Sequence, residues 1–259
     1  MNERYHQIFS KEQYSYANQK YRWIDEQIFN EYYSHMCNRI NPNIVEDVLD
    51  VCCGTGQFAV NIALAIPSAK VVALDSSYTQ MEVLKSIVEA RQIGNISPIE
   101  SRFEDYKTEQ QFDIITCSEA VHLFADFSEF ARNVSKLLKP NGILSIRTPS
   151  PAQFMERKIY DFFPRCRYIN LLNCKGPELL ETAFSMYGLH ILDVYIVDES
   201  KVYKKEEILD AFKAKLFSTL SLIPPYEFEE GLSALEHMLI DKDSYYYDFH
   251  MTSYIVGRQ

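Results

Sequence analysis

Apolar positions in this 259-residue chain recur with two different periods. Residues 1–45 carry the helical one. Ile24, Ile28 and Tyr32 fall on one line, and Phe29, Tyr33 and Met36 on another, until Asn41-Pro42-Asn43 breaks the pattern. "DVLDV" (47–51) then reads as a short buried strand. After a glycine-containing turn, Phe58, Ile62, Ala63 and Ile66 line one face of a helix that Pro67 stops. "KVVALD" (70–75) is a second strand, apolar until Asp75. The helix that follows turns Met81, Leu84, Ile87 and Val88 inward and takes Gly94 as its stop signal. "ISPIES" is a weak third strand and "FDIITCSEA" holds a fourth. "DFSEFARNVSKLLKPNG" is a helix with Lys136 and Lys139 in its last turns and Pro140 and Gly142 as its stop; a fifth strand is expected over 143–148. Strand and helix thus alternate five times with short connections. That pattern predicts a doubly wound parallel α/β sheet with right-handed crossovers and helices on both faces.

The second half departs from simple alternation. Residues 151–172 are aromatic and basic, and "PELLETAFSMYG" is a helix ended by Gly188. "LHILDVYIVDE" is a long strand, residues 203–240 read as two helices separated by "SLIPPYE", and "YYYDFHMTSYIVGRQ" closes the chain as one last strand. Two terminal strands with helices between them suggest an antiparallel edge on the parallel sheet. No repeat and no separate second domain is visible, only insertions at about 151–172 and 200–245.

Composition narrows the function classes. With 47% hydrophobic and 24% charged residues the chain is an ordinary globular one. Its formal net charge of −10 speaks against a nucleic-acid partner, which needs a basic face, and against an anionic membrane surface. The six cysteines show no C-x-x-C and no zinc spacing, the N-terminus reads as polar without a signal peptide, and no apolar run has the length of a membrane span. The expectation is a cytoplasmic protein with reduced thiols and no metal.

The chemistry concentrates in "EDVLDVCCGTGQFAVNIALAI" (46–66). In an open α/β sheet, ligands sit at the carboxyl ends of the strands where the strand order reverses, and this first turn lies there. Gly54 and Gly56 allow close approach to the backbone, and the next helix opens with unpaired N–H groups. "GTGQFA" fits the loose dinucleotide pattern, and Asp75, ending the second strand, is placed for ribose hydroxyls. Asp50 argues against a pyrophosphate, because a carboxylate at the strand end repels phosphate and attracts an ammonium group. A ligand with an amino-acid end and an adenosine end, such as S-adenosylmethionine, satisfies Asp50, the turn and Asp75 together.

On these residues the chain resembles the class I S-adenosylmethionine-dependent methyltransferases. "VLDVCCGTG" matches their first motif, hydrophobic-D-x-G-x-G-x-G, except at Cys52. "VVALDSS" resembles the ribose-binding second motif, "FDIITCSEAVHLF" the fourth-strand motif, and "SKLLKPNGIL" the segment leading to the fifth strand. The likeness runs from about residue 46 to 148; "AVHLF" is nearest the small-molecule branch that includes trans-aconitate methyltransferase. It implies a mostly parallel seven-stranded sheet with an antiparallel terminal strand, and S-adenosylmethionine as cofactor. It also implies a contact set of Asp50, Cys52, Gly54, Gly56, Asp75, Ser76, Phe103, Cys117 and Ser118. Two positions depart from the family. Cys52 replaces a glycine, so a negative φ is expected there. Arg102 falls where the family often has an adenine-binding Asp, which leaves Phe103, Glu104 or Asp105 for the base.

Beyond the cofactor, the candidates are open. His122, after the fourth strand, is the candidate proton acceptor, with Glu119 as a competitor; a brace for the loop is the plain alternative. Residues 1–45 are read as a helical lid in which Tyr14, Tyr16, Tyr21 and Trp23 cover the pocket, with Tyr14 and Tyr21 touching substrate. Arg157, Lys158, Arg165 and Arg167 form a local basic cluster. Arg157 is its candidate substrate contact for an anion such as a carboxylate, and a solvated helix face is the alternative. The expected activity is methyl transfer to a small molecule at an O, N or C nucleophile. The alternatives are an NAD-dependent oxidoreductase and a non-catalytic protein on the same fold. The paired Cys52-Cys53 also raises arsenic methylation, though packing is the usual role of such thiols. The sequence is silent on oligomeric state.

Overall fold

The computed structural model describes residues 7–11, 20 and 24–259. Nine strands are assigned among them: β1 (Asp47–Val51), β2 (Lys70–Asp75), β3 (Ile96–Glu100), β4 (Phe112–Ser118), β5 (Leu138–Thr148), β6 (His190–Asp198), β7 (Lys201–Lys204), β8 (Ser244–Tyr247) and β9 (His250–Gly257). Seven form one sheet in the order β3-β2-β1-β4-β5-β9-β6. β1 pairs in parallel with both β2 and β4, so the winding direction reverses between them. β9 is antiparallel to both β5 and β6, so the antiparallel strand lies inside the sheet and β6 forms the edge.

Period-two burial gives the sheet two apolar faces. Leu49, Val51, Leu74, Ile115, Leu144 and Ile146 belong to one core, and Val48, Val71, Ala73, Ile114 and Ile143 to the other. The second face is covered by α1 (Glu26–Cys37), α2 (Gln57–Ala65) and α3 (Tyr78–Ala90), through Phe29, Tyr32, Phe58, Ile62, Met81 and Leu84. The first face is covered by α4 (Phe127–Leu137), and beyond the short α5 (Pro151–Glu156) and α6 (Pro164–Asn173) by α7 (Pro177–Ser185). α1 is therefore packed into the body of the domain. Tyr14, Tyr16, Tyr21 and Trp23 lie outside the described residues.

Three boundaries differ from the sequence reading. The left-handed turn after α3 falls at Gln92 (φ 54°), not at Gly94. β5 starts at Leu138, so Lys139-Pro140-Asn141-Gly142 belongs to the strand rather than to a helix stop. Gly142 is needed there because a Cβ would lie 2.8 Å from the Phe112 carbonyl oxygen. The C-terminal stretch is two strands. β8 pairs with β7 in a separate two-stranded sheet, and only β9 enters the main one.

The insertions are one structure. α5, α6, α8 (Lys205–Lys213), α9 (Pro225–Met238), β7 and β8 share a core built on Tyr160, Phe163, Phe212, Leu235 and Tyr247. Phe249 and Met251 tie that core to the start of β9.

Candidate active site

The turn after β1 opens at the reversal point. Cys52, Gly54 and Gly56 all have positive φ, at 55°, 58° and 82°. Cys52 thus keeps the left-handed conformation of the glycine it replaces, contrary to the expected negative φ. The surroundings hold it there: Cys53 N donates to the Leu74 carbonyl at 3.0 Å, and Gly54 N donates to Asp75 at 2.9 Å. Such anchoring outweighs the roughly 1–2 kcal/mol that a Cβ costs in this region. Gly56 serves packing. An added Cβ would lie 2.2 Å from Leu84 Cδ1, so its absence lets α2 and α3 approach.

Asp50 is 1% exposed. It accepts hydrogen bonds from Thr116 Oγ1 (2.7 Å) and from Ala59 N (3.1 Å), and the second caps the first turn of α2. Burial pushes its carboxyl up to about 7; the two hydrogen bonds oppose this, and the neighbouring Asp75 adds to it. Asp75 also accepts from Ser77 N at 2.8 Å, so it joins the β1 turn to the start of α3.

These groups line a cleft of about 750 Å³ together with Cys52, Ser76, Ser118, Glu119 and Gln80. The Oε1 of Gln80 is buried without a hydrogen-bond partner. Phe9 borders the cleft, held by Ser77 Oγ donating to its carbonyl at 3.0 Å. A side recess of about 290 Å³ is lined by Cys52, Ser76, Arg102, Phe103, Glu104 and Leu123. Arg102 there pairs with Glu104 (3.5 Å) and Asp105 (3.9 Å).

Two residues of the expected contact set line neither the cleft nor its side recess: Gly56, which packs against Leu84, and Cys117. Cys117 is fully buried within the sheet's first core, one position short of the strand end, and does not line the cleft. Burial drives its thiol far above the ordinary range, and Cys52 and Cys53 shift the same way. These thiols stay protonated, which disfavours a thiolate role. Among the described residues no group of His, Cys, Asp and Glu could hold a metal.

A second cavity of about 640 Å³ adjoins the first and shares Phe9 and Glu119 with it. His122 lines this cavity and not the cleft above β1. Arg157, Thr148, Phe154, Asn170 and Thr219 complete its polar and aromatic wall. The expected basic cluster is dispersed. Arg165 pairs with Glu227, Arg167 with Asp161, Lys158 is exposed, and Arg157 alone is turned inward.

Between cleft and sheet edge lies a charged network. Arg147, near the end of β5, donates through Nε to Glu199 at 2.6 Å and also pairs with it through Nη2. Its Nη1 pairs with Glu119 and donates to Ser118 Oγ at 3.2 Å, and Tyr32 of α1 donates to Glu199. Glu119 carries a positive φ of 52°, and its backbone N–H donates to the Arg147 carbonyl at 2.7 Å. Sequence reasoning missed Arg147, Glu199, Gln80 and Phe9. A visible signal existed for Arg147, the one charge in "ILSIRT", an otherwise apolar strand segment. Glu199 and Gln80 carried none.

The family profile of the methyltransferase domain matches residues 45–206. The chain belongs to the class I S-adenosylmethionine-dependent methyltransferases. The match covers the β1 turn, the Asp75 strand end and the β4 loop. Among curated proteins, this methyltransferase is 26% identical over 201 residues to the demethylmenaquinone methyltransferase of Geobacillus stearothermophilus, covering 76% of this chain and 80% of that one. Among solved structures it resembles a protein described as a methyltransferase of an antibiotic biosynthesis pathway from Anabaena variabilis. That likeness has a TM-score of 0.66 at 14% identity and covers 92% and 99% of the two chains. It also resembles YjhP from E. coli, with a TM-score of 0.62 at 16% identity, covering 98% and 100%. At these identities the structural likenesses show the fold: a doubly wound, mostly parallel seven-stranded sheet. Among the described residues no helix is long and apolar enough to cross a membrane.

Proposed function

We propose that this methyltransferase acts on a small organic molecule in the cytoplasm, with the cleft above β1 and β4 holding S-adenosylmethionine. The observation that carries this reading is the donor and acceptor set of the cleft. Asp50, Asp75 and Glu119 are carboxylates, and the buried Gln80 Oε1 lacks a partner. Such a set suits a ligand that offers an ammonium group and hydroxyls, and it opposes a diphosphate. Asp50 would face the ammonium, Asp75 and Ser76 the ribose, and Gly54 and Cys52 the backbone-hugging middle of the ligand. Ser118 would close the β4 side. Phe103 and Glu104 border the recess where adenine would lie, and Arg102 is occupied there by its two carboxylates.

When bound, the sulfonium cofactor supplies an electrophilic methyl carbon. The chain's own residues align and shield. Phe9 and Glu119, common to both cavities, mark the passage between cofactor and acceptor. In-line positioning across such a passage can supply on the order of 7–11 kcal/mol in the best cases. His122, on the acceptor side, is the group to take a proton from a hydroxyl or amine acceptor. Glu119 is instead tied to Arg147. Phe9 is assigned as part of the cover over the passage. The relative's named acceptor, demethylmenaquinone, enters here as one compound to test.

The test is a calorimetric titration with S-adenosylmethionine and, separately, NAD. Binding of the first and not the second is expected; heat from NAD alone, or from neither, would overturn the reading. Labelled cofactor in cell extract then identifies the methylated product.

A further inference from the structure

The second cavity contains an arginine that has no ion-pair partner among the described residues. Arg157 is only 5% exposed. Its Nη2 donates to the His250 carbonyl at 3.0 Å and contacts Met251 Sδ at 3.3 Å. The guanidinium lies 3.9 Å from the Phe249 ring centroid and 5.2 Å from that of Phe154. Nε is buried with no partner, and no carboxylate among the described residues reaches ion-pairing distance. An arginine stays charged in a protein, so this is a buried cation held by aromatic faces and one carbonyl. Burying such a charge without a counterion is unfavourable.

The nearby carboxylates do not answer it. Glu119, which lines the same cavity, is committed to Arg147. Glu156 and Asp248 border a separate groove of about 300 Å³ along another side of Arg157 and offset its charge only at longer range. Beside Arg157 the cavity wall carries the Thr219 hydroxyl. That residue is 2% exposed, and its hydroxyl is buried without a hydrogen-bond partner other than a weak contact with the Cys166 thiol among the described residues. The rest of the wall is aromatic: Phe154, Tyr160 and Phe217.

We propose that this cavity holds the methyl acceptor by a carboxylate placed on Arg157 and Thr219, with an unsaturated or aromatic body packed against the three rings. The assignment rests on the methyl-transfer reading above and adds the acceptor's chemical class to it. It also explains why Arg157, alone among the four basic residues of its segment, is turned away from solvent and from acidic partners.

The experiment uses the full chain saturated with S-adenosylhomocysteine, the demethylated form of the cofactor. Benzoate, cinnamate and 1-naphthoate are each titrated against the matching neutral amide. At least one acid is expected to bind tenfold or more tightly than its amide. Arg157→Gln should abolish that preference while S-adenosylhomocysteine still binds. Should Arg157→Gln fail to fold, Thr219→Val is to lower the preference several-fold. Equal binding of acid and amide, no binding of any acid, or a preference undiminished in these variants would overturn the proposal. Failure of the wild-type chain to bind S-adenosylhomocysteine would instead overturn the methyl-transfer reading, so the two failures are told apart.

Discussion

The two cavities are built on opposite principles. On the cofactor side, polar groups largely satisfy one another within short loops. Asp50 caps α2, Asp75 holds the turn and the start of α3, and the Gly54–Asp75 bond joins the ends of two strands that the parallel register already places side by side. On the acceptor side, the wall is assembled from the β4 loop, the end of β5, α5, α6 and the 218–221 turn. There the Arg157 guanidinium has a buried Nε without a hydrogen-bond partner and no ion pair among the described residues. A pre-satisfied site is stable before its ligand arrives, whereas one with an unanswered charge is completed by its ligand. The contrast teaches that the first cavity is specified by the fold and the second by what it binds.

The charged network between the cavities gives the largest test of this contrast. Arg147→Met removes the ion-pair partner of the buried Glu199 and the Arg147 contact of Glu119, and removing one partner of a buried pair typically costs about 3–5 kcal/mol. Chemical denaturation should show that loss, and adding Glu199→Leu should recover part of it. Stability unchanged in Arg147→Met would mean that the two halves are not joined through this residue.

Gly56→Ala tests whether the first cavity is fold-determined. Its Cβ would meet the fully buried Leu84 in a left-handed backbone, for an expected loss of about 2–3 kcal/mol. A thermal melt showing no change would count against the close packing of α2 on α3.

Asp50 links stability to binding through pH. Its carboxyl is raised from 3.8 to about 7 in the folded chain. Between those values the folded state keeps a proton that the unfolded chain has released, so this group's contribution makes the free protein less stable as pH rises from about 4 to about 7. The ionised form is the one that attracts an ammonium group, so cofactor affinity should rise through the upper part of the same interval. Asp50→Asn should flatten both profiles and weaken S-adenosylmethionine binding about 10–100-fold, the range for a hydrogen bond to a charged group. Calorimetry at pH 6 and pH 8 reads both effects, and equal affinities in wild type at the two values would remove Asp50 from the ammonium site.

The smallest effect is expected at the turn itself. Cys52→Gly removes a Cβ from a left-handed position, and after the greater chain entropy of glycine is set against it, a gain of about 0.5–1 kcal/mol remains. A lower melting temperature in this variant would show that the thiol's packing outweighs the backbone strain.

The sequence by itself determined the cofactor half. The apolar runs of β1, β2 and β4 fixed which strands are buried on both faces. Asp50, Gly54 and Asp75 stand at strand ends where any parallel α/β sheet gathers its ligand. Those signals are local, within one strand-turn-helix unit, so a linear reading captures them. The same reading placed Cys117 in the site, because strand ends are uncertain by a residue and a one-residue error moves a side chain from cleft to core. It also gave Cys52 the wrong sign of φ, because the hydrogen bonds that hold it come from β2 and not from its neighbours. Only the tertiary structure decided the acceptor half. The insertions at 151–173 and 201–249 merge into a single core that no sequence period announces. Arg147 meets Glu199 across 52 positions, and Arg157 meets the His250 carbonyl across 93. Which of the basic side chains between 157 and 167 is paired, and which is left to face a ligand, depends on partners that distant in the chain. Hydrophobic periodicity carries no information about such pairings, because it records which side of an element is buried and not what it is buried against.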